Sequence, residues 1–540
     1  MKNNKFKKIA VLFIAAIAAF STMTACYSDG QVSSSSPAKD DTDSSYFKNA
    51  PDYSSSDKYV SMYTYAPPGN GVYTVDGKAY QITDDAGNPV TFQTVEKYRE
   101  YKECGFDVIM FQADDPYRGE NFETSHIKDL LDMAQEVGLK AIMFDTRLHN
   151  LSAKEIPVVG AGCTIDDAAY VSYIKANGLS AQYSGSKVKN ETQEDMNAYV
   201  AYCMKDYSTH PAFYGLLLRD EPNYKMLPAL GSVIKGIRAV KPDCLAQCNL
   251  FPLQDGKTYE NYKEGATSST MLSSYKWYIE EFLDQTQSEY VMMDSYPMTI
   301  ESGVSMIKAQ HLKGMQIIAE VCKERNVDFY MVIQSSSWTN NGIRKTRPVL
   351  EEDLYWQWYT CLGMGVKQIS YFTYQRKRTN VTTGEFFDDG TSFITSSGEK
   401  TPLYTWAKNV HEEMQALAKV VLNFDYVGLA SYVGLPTPCN IGFLQGLNES
   451  EFKKIKSVKT SDSSVLLVTE MYDKEKGVYG YMIANVADPE ADSALVAEVQ
   501  FADCKAISIY GAGGVEQRSL KGGYSNFALS AGQGVFVIPY

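Results

Sequence analysis

Histidine is scarce in this chain: there are five among 540 residues, and no two stand in an HxH or HExxH spacing. In those spacings two imidazoles can bind the same metal ion. Because the chain lacks them, the sequence argues against a zinc site, and no cofactor is predicted. Basic residues are also in deficit, with 51 lysines and arginines against 65 acidic residues and a net charge of −14. Because an acidic surface repels phosphate backbones, nucleic acid is excluded as a predicted partner.

The chain has ten cysteines, but they form no paired framework. Nine of them follow Cys26 at scattered positions, which is typical of small buried residues. Hydrophobic residues make up 44% of the chain and charged residues 21%, an ordinary composition for a globular protein. The length allows two or three domains.

The N-terminus has the pattern of an export signal. Four lysines precede residue 9, Ile9–Phe20 is apolar, and Ser21–Ala25 is polar and small, so residues 1–25 are predicted to be removed. Met23–Cys26 resembles a bacterial lipobox, which implies lipidation of Cys26 and anchoring to the outer face of a cell membrane. An ordinary cleaved signal is the alternative. Loss of the four lysines changes the net charge from −14 to −18. Residues 26–57 are rich in Ser and Asp and predict a flexible linker.

Short apolar segments alternate with helical patterns across residues 58–422. Eight strands are predicted: Tyr59–Tyr65, Asp107–Phe111, Leu139–Phe144, Ala212–Leu218, Cys244–Cys248, Tyr290–Met293, Asp328–Ile333 and Gln368–Phe372. Helices are predicted between them, including one over Val304–Arg325. The count and the apolar strands favour an α/β fold, a (β/α)8 TIM barrel. A doubly wound open sheet is the alternative, although no GxGxxG opens the first predicted helix. Residues 423–540 show short strands split by turns and predict a C-terminal antiparallel β-sandwich.

The fourth predicted strand carries the most informative motif, HPAFYGLLLRDEPNY over His210–Tyr224. Its apolar run ends at Arg219-Asp220-Glu221-Pro222, and proline cannot continue a strand ladder. Ligands bind at the carboxyl ends of parallel strands, so this carboxylate pair is a candidate for acid/base chemistry. A solvated strand end with an Arg–Asp pair is the structural alternative. Strict alternation places Arg219 on the same face as Glu221, where a guanidinium lowers a carboxyl pKa.

Polar and aromatic residues follow most of the other strands. The candidate binding residues are Asp114, Asp115, Asp145, Asp220, Asn249, Tyr296, Gln334, Trp338 and Tyr374. Carboxylates among aromatic faces suit sugar rings, because C–H groups stack on the aromatic faces while hydroxyls form hydrogen bonds.

These motifs resemble secreted glycoside hydrolases of the β-galactosidase and cellulase clan. The resemblance includes His210–Asn223, the DSYP run that begins at Asp294, Gly398–Trp406 and Leu529–Ile538. It implies that Glu221 is the general acid/base. Asp220 stands where the clan usually has an asparagine.

The resemblance fails on the seventh strand, where the clan places a nucleophilic glutamate and this chain has Gln334. An amide cannot form a glycosyl ester, so three readings stay open. Asp294 is nucleophile or base, or the enzyme is inverting and Asp114 or Asp115 activates water, or the barrel binds glycans without cutting them. The prediction is an extracellular glycoside hydrolase acting on a neutral poly- or oligosaccharide, with Glu221 and Asp294 as catalytic residues. The competitors are a non-catalytic glycan-binding lipoprotein and a transporter's solute-binding lipoprotein.

Overall fold

The computed structural model describes residues 45–540 except 76–77, 85, 255, 376–378, 381–384, 388–390, 434–450, 461–464 and 492–493. The predicted leader, Cys26 and most of the predicted linker therefore lie outside the described residues. Residues 45–540 form one compact unit of mixed α/β structure. Among the described helices, none combines the length and the apolar character that a membrane span requires.

Eight parallel strands form the centre of the structure. They are β1 (Ser61–Thr64), β2 (Val108–Met110), β3 (Lys140–Met143), β4 (Phe213–Asp220), β5 (Leu245–Asn249), β6 (Tyr290–Asp294), β7 (Asp328–Gln334) and β8 (Val366–Phe372). Each strand begins and ends within two residues of its predicted bounds. One parallel sheet has the order β1-β8-β7-β6 and the other β5-β4-β3-β2.

Backbone hydrogen bonds join the two sheets at both pairs of edges. The amide of Asp107, before β2, donates to the carbonyl of Met62 in β1 at 3.1 Å. The amide of Leu250, after β5, donates to the carbonyl of Met292 in β6 at 2.8 Å. Each strand therefore has a neighbour on both sides, and all eight carboxyl ends lie at the same end of the assembly.

Ten α-helices connect these elements or precede the C-terminal region. They are α1 (Val95–Glu103), α2 (His126–Val137), α3 (Thr146–Ser152), α4 (Ala168–Ala176), α5 (Gln193–Met204), α6 (Leu227–Val240), α7 (Met271–Thr286), α8 (Ala309–Arg325), α9 (Glu351–Gly363) and α10 (Pro402–Val421), as far as the described residues extend. Local capping explains several of their ends. The Ser125 hydroxyl accepts from the Lys128 amide at the start of α2, and Gly138 ends that helix with a φ of 77°.

The helix predicted over Val304–Arg325 is wrong in its first turn. Val304–Ile307 is instead a strand that pairs with Met298–Glu301 in an antiparallel hairpin, and α8 begins at Ala309. The turn residues Ser302 and Gly303 both have positive φ, which reverses the chain and prevents a helix from starting there.

The interior of the parallel strands is filled in layers. At the amino ends, the rings of Tyr290 and Tyr330 stack with centroids 4.5 Å apart. The middle layer includes Tyr63, Met292 and Val332, all buried. The polar residues of the site lie at the carboxyl ends of the strands and pack on this apolar interior.

The strands described in the C-terminal region are all antiparallel. They are β9 (Asp425–Val433), β10 (Ile455–Thr460), β11 (Val465–Asp473), β12 (Val478–Asn485), β13 (Leu495–Phe501), β14 (Ala506–Gly511), β15 (Gly514–Ser519), β16 (Tyr524–Leu529) and β17 (Gly534–Pro539). They form a six-stranded sheet, β9-β11-β12-β17-β14-β15, and a three-stranded sheet, β10-β13-β16, whose inner faces share one core. Strands β9, β10 and β15 are not among the strands predicted from the sequence.

A buried ion-pair cluster links the loop before α9 to the C-terminal region. The Arg347 guanidinium pairs with Asp353 in α9, and its Nη2 lies 2.9 Å from Asp488 Oδ1 after β12. All three side chains are buried or nearly so. Breaking such a cluster leaves a buried charge uncompensated, so it ties the two regions together.

Short antiparallel strands complete the described structure. They are Val72–Val75 with Lys78–Gln81; Thr164–Asp166, Lys187–Lys189 and Tyr183–Ser184; and Ile343–Arg344, Trp338–Asn340, Glu385–Phe387 and Thr379–Asn380.

Candidate functional site

A β-bulge in β4 determines which charged side chain enters the site. Leu217 pairs with Gln247 of β5, but the next pair joins Arg219 to Cys248, so Leu218 is an extra residue. The bulge shifts the alternation and brings Asp220 level with Asn249. Asp220 is exposed, and its charge raises the pKa of both Tyr65 and Asp294 at the carboxyl ends of the strands.

The same bulge turns Arg219 away from the site. Its Nη1 donates to Nε2 of His149 in α3, and the two atoms lie 3.0 Å apart. Burial and the Arg219 charge lower the pKa of His149 to about 4, so the imidazole is neutral and accepts this hydrogen bond. Strict alternation does not extend from Arg219 to Glu221, because the strand ends at Asp220 and Glu221 has a φ of 48°.

Glu221 has an unusual backbone conformation. Its φ is 48°, in the left-handed region that residues other than glycine rarely adopt. Its amide donates to the carbonyl of Asn249 at 2.9 Å, which holds the turn after β4 against β5. The side chain is half-buried, and its charge adds to the burial that raises the pKa of Tyr278 in α7. Backbone strain of this kind concentrates at functional sites.

Asp294, at the end of β6, is the buried carboxyl of the site and is 6% exposed. Burial, followed by the negative charge of Asp220, raises its pKa to about 7. The nearby polar groups of Tyr296 and Asn249 lower the pKa without cancelling this rise. The structure thus brings Asp220 and Asp294 together as two carboxyls in unlike environments, one open to water and one enclosed.

A short polar network lies beside this pair. The Tyr65 hydroxyl donates to Asn249 Oδ1 at 2.6 Å and accepts from Gln247 Nε2 at 3.0 Å. Asn249 Nδ2 and Asp294 Oδ1 are both buried, and among the described residues neither completes a hydrogen bond of full geometry, although the Asn249 amide is close enough to lower the pKa of Asp294. Buried polar atoms without partners are costly, so the two atoms mark a position where a ligand hydroxyl or water can bind.

Aromatic rings form one wall of the site. Tyr296 lies between Phe372 and Trp338, with centroid distances of 5.0 and 5.3 Å, and Tyr65 lies 6.0 Å from Phe372. Tyr296 and Trp338 are half-buried, so parts of both rings face solvent. Such a wall can stack against the C–H faces of a sugar ring.

Four of the predicted binding residues have structural contacts instead. Asp115 is buried and accepts from Gln93 Nε2 at 2.7 Å, while His126 Nε2 lies 3.3 Å from its other oxygen. Tyr374 is buried in the outer core, where its ring stacks on Phe393 at 5.4 Å. We therefore correct the expectation that these two side chains line the site. Asp114 is exposed beyond the end of β2.

Asp145 is the third correction. It is fully buried at the start of α3, where Arg147 Nε and Nη2 donate to its two oxygens at 3.1 and 2.6 Å. The Tyr207 hydroxyl donates to it at 2.9 Å and the Arg147 amide at 2.9 Å. These four hydrogen bonds occupy the carboxylate, so it cannot also bind a substrate.

Gln334 is the fourth correction. Its Oε1 accepts from the Met298 amide at 3.0 Å, and its Nε2 donates to the carbonyls of Met298 and Ser336 at 3.4 and 3.3 Å. The side chain is fully buried. Gln334 therefore anchors the hairpin that begins at Met298 and does not contact substrate.

We expect Gln334→Glu to destabilise the protein and to give no increase in glycan hydrolysis over the wild type. A glutamate cannot donate to the two carbonyls, and a buried group left without its partners costs about 3 kcal/mol. Urea unfolding measures the loss, with exposed Gln517→Glu as the control that stays near wild type. If Gln334→Glu were as stable as the wild type and hydrolysed glycans faster, residue 334 would belong to the catalytic site.

No group of metal-ligating side chains that could hold an ion is found within the described residues. The cysteines that the structure describes are all free. The side chains at the site supply carboxyl, amide, hydroxyl and aromatic groups.

Sequence reasoning missed Gln247 and Phe372 as parts of the site. Gln247 is two residues before Asn249, so strand alternation was a usable signal for it. Phe372 read as an ordinary apolar strand residue. The bulge at Leu218 had no signal, because apolar residues continue through it.

No family model matches the chain, and no curated protein matches it. Several solved structures are weakly similar. An endo-β-1,4-mannanase from Thermotoga petrophila is 10% identical, with a TM-score of 0.36 over 88% of this chain and 97% of that one. A family 5 glycoside hydrolase from Bacteroides vulgatus is 11% identical, with a TM-score of 0.38 over 88% and 94%. An Anoxybacillus α-amylase is 11% identical, with a TM-score of 0.40 over 89% and 97%. Scores this low assign no family.

Proposed function

We propose that the chain is a glycoside hydrolase that cleaves a neutral poly- or oligosaccharide. The observation that carries the proposal is the pairing of exposed Asp220 with buried Asp294, whose pKa is raised to about 7. Two carboxyls whose environments separate their pKa values are suited to act as proton donor and as ionised partner. The half-buried aromatic wall and the unsatisfied polar atoms beside Asp294 support a sugar as the ligand.

We infer that the eight parallel strands form a closed (β/α)8 barrel and that the two antiparallel sheets form a β-sandwich. The hydrogen bonds at both pairs of sheet edges and the shared core of the antiparallel sheets support this. In such a barrel the active site lies at the carboxyl ends of the strands. Asp220 and Asp294 both lie there.

In the proposed mechanism, Asp294 donates a proton to the glycosidic oxygen. As the bond between that oxygen and the anomeric carbon breaks, the carboxylate of Asp220 attacks this carbon or takes a proton from a water molecule that attacks it. A glycosyl ester formed by direct attack is then hydrolysed by water, which returns a proton to Asp294. Asn249 Nδ2 binds a sugar hydroxyl, and Tyr65 fixes the amide through its hydrogen bond to Oδ1. No cofactor takes part in this proposal.

Glu221 remains a second candidate for the proton donor. Its position after β4 matches the acid/base of the clan that the sequence resembles, and its strained backbone favours a functional role. A comparison of variants decides between Glu221 and Asp294.

We propose further that the protein is exported and anchored through lipidated Cys26, with the linker that follows it extending the catalytic region away from the membrane. The sequence pattern alone supports this location. An acidic surface with a net charge of −14 before processing is consistent with neutral glycans as partners.

The test is a panel of purified neutral glycans, assayed with the wild-type protein and with Glu221→Gln. If Asp294 is the donor, the wild type hydrolyses at least one glycan and Glu221→Gln loses no more than about tenfold. Complete loss in Glu221→Gln, with binding retained, gives the proton-donor role to Glu221. Binding without hydrolysis by the wild type would leave the non-catalytic glycan-binding protein as the function.

A further inference from the structure

A cavity adjoins the aromatic wall of the site. It has a volume of about 570 Å³ and lies between the hairpin that contains Met298–Glu301 and the strands Trp338–Asn340 and Ile343–Arg344. We call it the side groove. Tyr296 and Trp338 line its inner end and also form the aromatic wall of the site, so the two spaces share a boundary.

Backbone hydrogen bonds hold the walls of the side groove together. The Ile300 amide donates to the Lys345 carbonyl at 2.9 Å, and the Lys345 amide donates to the Trp338 carbonyl at 3.0 Å. The Trp338 amide donates to Thr346 Oγ1 at 3.0 Å. Buried Gln334 anchors the start of the same hairpin through Met298. The side groove is therefore preformed, and a ligand need not order its walls.

The lining of the side groove combines apolar and hydrogen-bonding groups. Ile300 and Ile343 lie near Thr299 and Thr346, and the rings of Tyr296 and Trp338 stand at 88° to each other. The lining includes charges of both signs, from Glu301 and from two lysines. This mixture suits a neutral chain of sugar rings, which presents C–H faces and hydroxyls in alternation.

We propose that the side groove binds additional sugar units of the same glycan chain whose reacting bond lies over Asp294. Its volume falls within the range of about 300–1,000 Å³ that encloses a drug-sized ligand, which corresponds to about two or three sugar rings. The substrate is then an oligosaccharide or polysaccharide, and the length of the chain determines how well it is cleaved. This inference rests on the proposed function.

The test uses one groove variant and one matched control. Ile343 lines the side groove and is 62% exposed, whereas Val304 is 55% exposed on the neighbouring hairpin outside the groove lining. Ile343→Asp and Val304→Asp make the same exposed change from an apolar side chain to a charge. The substrates are labelled cello-, manno- and xylo-oligosaccharide ladders, from the single sugar to the hexamer.

For the ladder that the wild type cleaves, Ile343→Asp is expected to lower kcat/KM about tenfold or more on the longest chains. The shortest cleaved substrate changes no more than about twofold, and Val304→Asp matches the wild type on all lengths. An equal loss on every length, or no loss on any, overturns the side groove as a binding site.

Failure of the proposed function gives a different result. If the wild type cleaves no ladder, quenching of Trp338 fluorescence still measures binding of the same ladders, with Trp338→Phe as the blank. One outcome is that the wild type then binds longer chains more tightly, with weaker binding in Ile343→Asp. That result supports the side groove as a binding site and contradicts the proposed hydrolysis. Binding that does not depend on length rejects the side groove.

Discussion

Asp294→Asn is expected to lower the rate of glycan hydrolysis by about 10²–10⁴-fold while leaving the protein folded. An asparagine has nearly the same shape as an aspartic acid but cannot release a proton to the glycosidic oxygen. The buried position of Asp294 and the charge of Asp220 raise its pKa to about 7, so the wild-type carboxyl is largely protonated below that pH. The measurement is kcat/KM for wild type and variant across the pH range.

The wild-type rate is expected to fall as the pH rises through about 7, because Asp294 then loses the proton that it donates. Stability changes in the same direction. The folded-state pKa lies above the ordinary value of 3.8, so the contribution of Asp294 to stability is full below about pH 4 and is lost as the pH rises through about 7. Asp294→Asn, which cannot ionise, should therefore melt at a higher temperature than the wild type at pH 8.

Asp107→Asn is the matched control for this experiment. Burial also raises the pKa of Asp107, but this residue precedes β2 at the opposite end of the strands. Its variant should keep the wild-type pH–rate profile. A pH–rate profile unchanged in Asp294→Asn would remove Asp294 from the proton transfer.

Asp145→Ala is expected to destabilise the protein by about 3–5 kcal/mol, because it leaves the buried Arg147 guanidinium without its carboxylate. The Arg147 side chain is only 12% exposed, and Asp145 raises the pKa of its guanidinium through hydrogen bonds and charge. The Tyr207 hydroxyl loses its acceptor as well. Urea unfolding of the purified variant measures this loss.

Asp114→Ala serves as the comparison, since Asp114 is an exposed carboxyl after the neighbouring strand. Its stability should stay within about 0.5 kcal/mol of the wild type. If Asp145→Ala instead kept its stability and lost glycan binding, Asp145 would belong to the binding site, as the sequence had indicated.

The residues predicted for the site differ in how far the sequence alone indicates their surroundings. Asp220, Asn249 and Asp294 end adjacent strands, so strand counting alone was enough to bring them to one end of the structure. Asp115 follows β2 and Gln334 ends β7, but each contacts a partner from a segment distant in sequence, Gln93 for Asp115 and Met298 for Gln334. A single sequence does not reveal those partners, and a polar residue that is already satisfied looks the same as one that awaits a ligand.

The positions and order of the eight strands were determined by the sequence, because apolar runs bounded by helices, glycines and prolines carry that information locally. The sequence likewise determined that carboxyls gather where those strands end. Tertiary structure alone decided which carboxyl faces which. The bulge at Leu218 brings Asp220 level with Asn249 and turns Arg219 toward His149, and the enclosure of Asp294 raises its pKa. Register, burial and charge coupling depend on neighbours far apart in the chain, so they exist only once the strands have packed together.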